Sequence, residues 1–110
     1  MNIQIFGTNK SFDTKKAQRW FKERGIRFQM IDMKEKGMSR GEFDNVCRAV
    51  GGWAKLVDEN AKDKDTLALL KWLDESQQAH TPTEYFRHPI VRNGRQATVG
   101  YCPEVWEKWE

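Results

Sequence analysis

The hydrophobic period changes twice within the first thirty residues, and no other feature of the chain constrains its fold as much. Ile3 and Ile5 alternate around Gln4 as in a half-buried strand, and the run stops at the turn formers Gly7-Thr8-Asn9, which predicts a strand over residues 2–6. A polar loop over residues 7–12 follows. Asp13 is then expected to cap a helix whose apolar positions Ala17, Trp20 and Phe21 follow helical spacing, with Lys22 and Arg24 near its end and Gly25 as its stop. Ile26, Phe28 and Met30 return to alternation with Arg27 and Gln29. With a helix between them, the two strands are read as a parallel βαβ unit.

Ser39, with Glu42 three residues later, has the form of a capping box, and Phe43, Val46, Cys47 and Val50 recur at helical spacing before Gly51-Gly52. Cys47 is expected on the core face of that helix. A weaker helical pattern runs over residues 64–79 through Leu67, Leu70, Trp72 and Leu73. The last third changes character. Residues 89–92 and 95–99 read as short strands joined through Asn93-Gly94 in a type I′ turn, and Pro103 opens a short helix carrying Val105, Trp106 and Trp109. The resulting order, βαβ–αα–ββα, is that of an α/β chain of the thioredoxin-like fold with a helical insertion, read as one domain over residues 1–110.

Composition excludes several classes of function. With 38% apolar residues and 12% aromatic ones the 110-residue chain can bury a core of its own, so intrinsic disorder is excluded. No apolar run is long enough to span a membrane and the first residues lack a signal-peptide profile, which together predict a cytoplasmic protein. Cys47 and Cys102 lie far apart in sequence and are expected to stay thiols. Neither His80 nor His88 has ligands at metal-like spacing, so no metal is expected. The net charge of +3 is read as a small, distributed excess, and with Trp53, Trp72, Trp106 and Trp109 taken as core or groove residues, direct nucleic-acid binding is not expected.

In a βαβ opening of this kind, chemistry concentrates at the start of the first helix, where unpaired N–H groups and the positive end of the dipole stabilise a thiolate or a bound anion. That places Asn9, Lys10, Ser11, Asp13 and Thr14 in the candidate site. The run Ile-Phe-Gly-Thr-Asn-Lys-Ser-Phe-Asp-Thr-Lys-Lys-Ala from Ile5 to Ala17, with Trp20-Phe21 and Gly25-Ile26, resembles the opening of the bacterial arsenate reductase-related family that includes ArsC and the Spx regulators. Phe28 to Asp32, Gly37-Met38-Ser39, His88-Pro89-Ile90-Val91 and Val99-Gly100-Tyr101 extend the resemblance over nearly the whole chain.

The resemblance implies a reactive cysteine just before the first helix, where this chain has Ser11. It also implies a cis Pro89 facing the reactive loop, with His88 standing where the reductases of the family place an arginine and Asp58 near another such place. Arg87, Arg92 and Arg95 are read as a solvated strand face. Cys102 falls at the start of the terminal helix, where the dipole favours a thiolate and Glu104 opposes it. Ser11 reads as a natural loss of the cysteine, as an introduced Cys→Ser change, or as a hydroxyl that only caps the helix.

Two functions follow from the resemblance. One is a thiol oxidoreductase of arsenate reductase-like and glutaredoxin-like kind, inactive in this form, with no cofactor, glutathione as co-substrate, and glutathione or a protein thiol as partner. The other is a non-enzymatic, Spx-like regulator that binds the C-terminal domain of the RNA polymerase α subunit. A monomer is expected in both cases.

Overall fold

The computed structural model describes residues 1–33, 38–52, 55–56 and 87–109. Among them the elements run β1 (Ile3–Gly7), α1 (Phe12–Glu23), β2 (Phe28–Asp32), α2 (Arg40–Val50), β3 (Ile90–Asn93), β4 (Gln96–Val99) and α3 (Pro103–Trp106). The helical pattern over residues 64–79, together with Trp53, Asp58, Trp72 and His80, lies outside the described residues.

The four strands form one sheet in the order β2-β1-β3-β4. β1 runs parallel to β2 and antiparallel to β3, and β3 pairs antiparallel with β4. Because side chains alternate across a strand, β1 feeds two cores. Ile3 and Ile5 join Ala17, Trp20, Phe21, Val91, Trp106 and Trp109 on the α1 side. Phe6 joins Ile31, Met33, Met38, Phe43, Val46, Leu56 and Ile90 on the α2 side. Trp106 ties α3 to α1, with its ring 5.4 Å from that of Trp20, 5.0 Å from Phe21 and 5.5 Å from Tyr101, while its indole N–H donates to the Thr98 hydroxyl at 2.8 Å.

Several expectations shift at their edges, each for a local reason. The second strand begins at Phe28 because Ile26 belongs to the stop signal of α1: the Ile26 N–H donates to the Phe21 carbonyl and the Gly25 N–H to that of Lys22, with Gly25 at φ +68°. These two bonds make a Schellman motif, and Ile26 packs against the core cluster that holds Phe21. The capping box of α2 is present in full, with the Glu42 N–H donating to the Ser39 hydroxyl and the Ser39 N–H to the Glu42 carboxylate. Cys47 is half-buried and packs against the α2-side core.

The hairpin turns one residue later than the Asn-Gly pair suggests. Asn93 pairs with Gln96, so the two loop residues are Gly94 and Arg95. Asn93 stays on the strand because its side chain is bound at both ends, accepting from the Asn2 N–H at 3.1 Å and donating to Gln96 at 3.3 Å. A type I′ turn needs positive φ at both loop residues, whereas here only Gly94 has it, the pattern of type II′. Among the described residues no helix is long and apolar enough to cross a membrane.

Candidate functional site

β1 ends at Gly7, whose carbonyl accepts from the Met33 N–H at 2.9 Å, and the chain turns through Thr8, Asn9 and Lys10 into α1. The cap of α1 is Ser11 rather than Asp13. Both residue types cap well, and the choice is made by where the turn closes: the Ser11 N–H donates to the Thr8 carbonyl at 3.1 Å, and its hydroxyl accepts from the Thr14 N–H at 3.2 Å. Asp13 instead lies in the first turn, where its charge complements the dipole. The amides of Phe12 and Asp13 make no hydrogen bond among the described residues.

Thr14 is fully buried, and its side chain packs against the α-carbon of Gly7 so closely that a Cβ on Gly7 would lie 2.6 Å from the Thr14 methyl. The hydroxyl of Thr14 has no hydrogen-bond partner. The contribution of Thr14 to the loop is therefore its backbone N–H. Asn9, Lys10 and Asp13 are exposed and Ser11 is half-buried.

The His88–Pro89 peptide is cis. Pro89 is buried and His88 half-buried, and the β1–β3 register, which pairs Phe6 with Ile90, sets Pro89 at the level of Gly7. The proline and the Ser11 loop thus share one end of the sheet. The Pro89 carbonyl is not open to a ligand in the manner of a free strand edge, because it accepts from the Gly100 N–H at 2.8 Å.

Lys16 and Tyr101, quoted above only within longer motifs, also reach this end. The Lys16 ammonium sits 4.4 Å from the Tyr101 ring centroid and 5.7 Å from that of Phe12, so a cation is held against the first turn of α1. Phe12 itself is 74% exposed. The sequence offers a signal for this in the i, i+4 spacing of Phe12 and Lys16, but the pairing with Tyr101 arises only from the fold.

The charge is not distributed as composition suggests. Lys10, Lys15, Lys16, Arg19, Lys22, Arg24 and Arg27 face only Asp13 and Glu23 in the same stretch, an excess larger than that of the whole chain. The first helix and its flanks are basic, and the remainder is net acidic.

Two further residues depart from expectation. Arg92 is not a solvated strand cation: it donates to Gln4 at 2.7 Å, to Asn45 at 3.0 Å and to the Gly94 carbonyl at 3.2 Å, with the Glu42 carboxylate 3.9 Å away. Cys102 does precede the short helix α3, yet burial pushes its thiol up from the ordinary value, and Glu104 adds to this against the opposing pull of Arg87 and a hydrogen bond from Thr98. Its S–H donates to the Val99 carbonyl at 3.3 Å. A single-turn helix has too weak a dipole to reverse that balance.

No family model matches the chain. A global transcriptional regulator, Spx 2 of Oceanobacillus iheyensis, is 26% identical over 109 residues, which cover 92% of this chain and 78% of the regulator. A putative ArsC family related protein from Bacteroides fragilis has the same fold, with a TM-score of 0.70 at 20% identity over 98% of this chain and 97% of that one. An arsenate reductase from Vibrio cholerae gives 0.68 at 22% identity over 96% and 94%. The chain is a thioredoxin-like α/β protein, related in sequence to an Spx regulator and in fold to ArsC-type proteins.

Proposed function

We propose that the chain is a thiol-oxidoreductase-type protein of arsenate reductase-like and glutaredoxin-like build, without turnover in this form because Ser11 stands at the nucleophile position. The observation that carries this reading is the Ser11 side chain, which accepts the Thr14 N–H at the start of α1, at the end of the sheet that also holds Pro89. A thiolate placed there would accept the same bond and sit in the field of Lys10, Lys15 and Lys16. A serine hydroxyl remains protonated at neutral pH and cannot take that role. The loop with Asn9, Lys10, Asp13, Thr14, His88 and Pro89 then serves to bind, with glutathione or a protein thiol as the ligand, in the reducing cytoplasm where Cys47 and Cys102 remain thiols.

His88 before Pro89 supplies one imidazole where an arsenate site calls for forked guanidinium donors. The chain as it stands is expected to show no arsenate reduction above the uncatalysed rate in a coupled reductase assay. Titration with reduced glutathione, followed by amide NMR, is expected to move Lys10, Ser11 and Phe12. Shifts confined to other regions would refute the binding role.

The Spx relative favours a second reading, a regulator that docks on the C-terminal domain of the RNA polymerase α subunit. A co-purification and NMR titration with that domain separates the two. Saturable binding of the domain by a chain indifferent to glutathione selects the regulator, and the reverse pattern selects the thiol-binding protein.

A further inference from the structure

At the other end of the sheet from Ser11, α2 and the β3–β4 turn flank an open cleft of about 500 Å³ lined by Asn45, Arg48, Ala49 and Arg95. Asn45, Arg48 and Ala49 share one face of α2 because they are three and four residues apart. The chemistry of this lining is fixed by Arg92 beside it. A guanidinium has only donors, so the Asn45 oxygen must face Arg92, and the hydrogen bond of 3.0 Å from Arg92 Nε to Asn45 Oδ1 holds it there. Asn45 is left with the two N–H donors of Nδ2 for the cleft. Gln4 and the Gly94 carbonyl brace Arg92 in turn, which makes the orientation of Asn45 part of a network rather than a free rotamer.

Arg48 and Arg95 are exposed, and neither has an ion-pair partner among the described residues. The Glu42 carboxylate lies 3.9 Å from Arg92 Nη1 and so is directed at that residue. Every side-chain polar group lining the cleft is therefore a donor, and two of the three are charged. Ala49 leaves space where a longer side chain would fill it. The carboxyl end of α2 opposes an anion, but the Cys47 carbonyl there is already taken by the N–H groups of Gly51 and Gly52.

From this geometry we infer that the cleft binds a small organic molecule carrying a phosphate monoester group. A lining of forked guanidinium and amide donors matches a doubly charged oxyanion with several acceptor oxygens. The cleft is open to solvent and has more room than an inorganic ion needs, so an organic body attached to the phosphate can lie along it, against the face of α2 that carries Ala49. The site stands apart from the reading of Ser11, since Asn93 at this end pairs with Ile3 and Pro89 lies at the opposite end of β3.

The test uses phenyl phosphate as probe, titrated into the full chain at fixed ionic strength, with NMR of the arginine Nε–H and asparagine Nδ2–H groups. Saturable shifts are expected at Arg48, Arg95 and Asn45. Asn45→Asp is the decisive variant: it keeps an oxygen on Arg92, so the fold persists, yet it replaces the amide donors by a carboxylate, and affinity is expected to fall at least tenfold. Arg48→Gln and Arg95→Gln should each weaken binding, whereas Arg19→Gln on α1 should not. Unsaturated shifts, equal loss with Arg19→Gln, an unchanged affinity in Asn45→Asp, or binding of a single-stranded oligonucleotide without binding of phenyl phosphate would each overturn the assignment.

Discussion

Replacing Ser11 by cysteine asks the structure a quantitative question, because the surroundings of position 11 set the acidity of any thiol placed there. The unperturbed thiol titrates near a pKa of about 8.5. Three features of the site lower it. The N-terminal end of α1, a helix of 12 residues, contributes roughly 0.3–1 kcal/mol in favour of the anion. The Thr14 N–H, which the present hydroxyl accepts at 3.2 Å, becomes a hydrogen bond to a charged acceptor, stronger than its neutral counterpart by about 1 kcal/mol. Lys16, held against Tyr101 and Phe12, adds a cation one turn into the helix, with Lys10 and Lys15 nearby. Asp13 opposes them, and so does the half-burial of the side chain. Since one pKa unit corresponds to about 1.4 kcal/mol, the balance is a fall of roughly one unit, to about 7.5.

At pH 7 that raises the thiolate fraction from about 3% to about 24%, and alkylation should accelerate by somewhat less because nucleophilicity falls with basicity. The assay is the pH dependence of iodoacetamide labelling at position 11, resolved by peptide mapping. Cys102 gives an internal contrast, since burial pushes its thiol in the opposite direction. An apparent pKa at or above the free-thiol value for Ser11→Cys would show that the start of α1 does not stabilise an anion, and the thiol reading would lose its physical basis.

Gly7→Ala should destabilise the fold by about 1–3 kcal/mol in urea denaturation, because the new methyl meets the Thr14 side chain, and adding Thr14→Ala should recover part of the loss; additive losses would refute the contact. Trp106→Ala should cost about 3–5 kcal/mol by removing the side chain that joins α3 to α1, while Trp106→Phe should cost less and leave the Thr98 hydroxyl without its donor; equal effects would argue against the packing role. For Cys102 the raised folded-state pKa means that its contribution is complete below the free-thiol value of about 8.5 and is lost as pH rises through the folded value, so the stability gap between the wild type and Cys102→Ala should narrow or reverse as pH rises beyond that value; a constant gap would contradict it.

Local signals in the sequence were legible where one short segment decides the outcome. The stop of α1 at Gly25 and the capping box of Ser39 with Glu42 need only neighbours within one turn, and both are found. The β-α-β opening is equally local in origin, because a change of hydrophobic period requires no distant partner. What the sequence could not locate depends on residues far apart in the chain. Asn93 looks like a turn residue until Asn2 and Gln96 bind its side chain, and Arg92 looks solvated until Gln4 and Asn45 do. Ser11 and Asp13 are nearly equivalent as caps in composition, and the Thr8 carbonyl that decides between them is fixed by where β1 ends.

The same distinction bears on what a missing cysteine means. A serine hydroxyl caps a helix better than a neutral thiol, whose sulfur is a weak acceptor, so capping alone accounts for Ser11. Capping does not account for the charges around it. Of the seven cations on α1 and its flanks, Lys22 lies in the last turn, where the dipole favours it, and Arg24 stacks on Trp20 and donates to its carbonyl, whereas Lys10, Lys15 and Lys16 lie at the helix start, where the dipole opposes them. Lys16 stacked on Tyr101 orders a long side chain at an entropic cost that a surface residue need not bear. The three lysines at the start of α1 give an anion beside Ser11 the same favourable field under either proposed reading, opposed there only by Asp13.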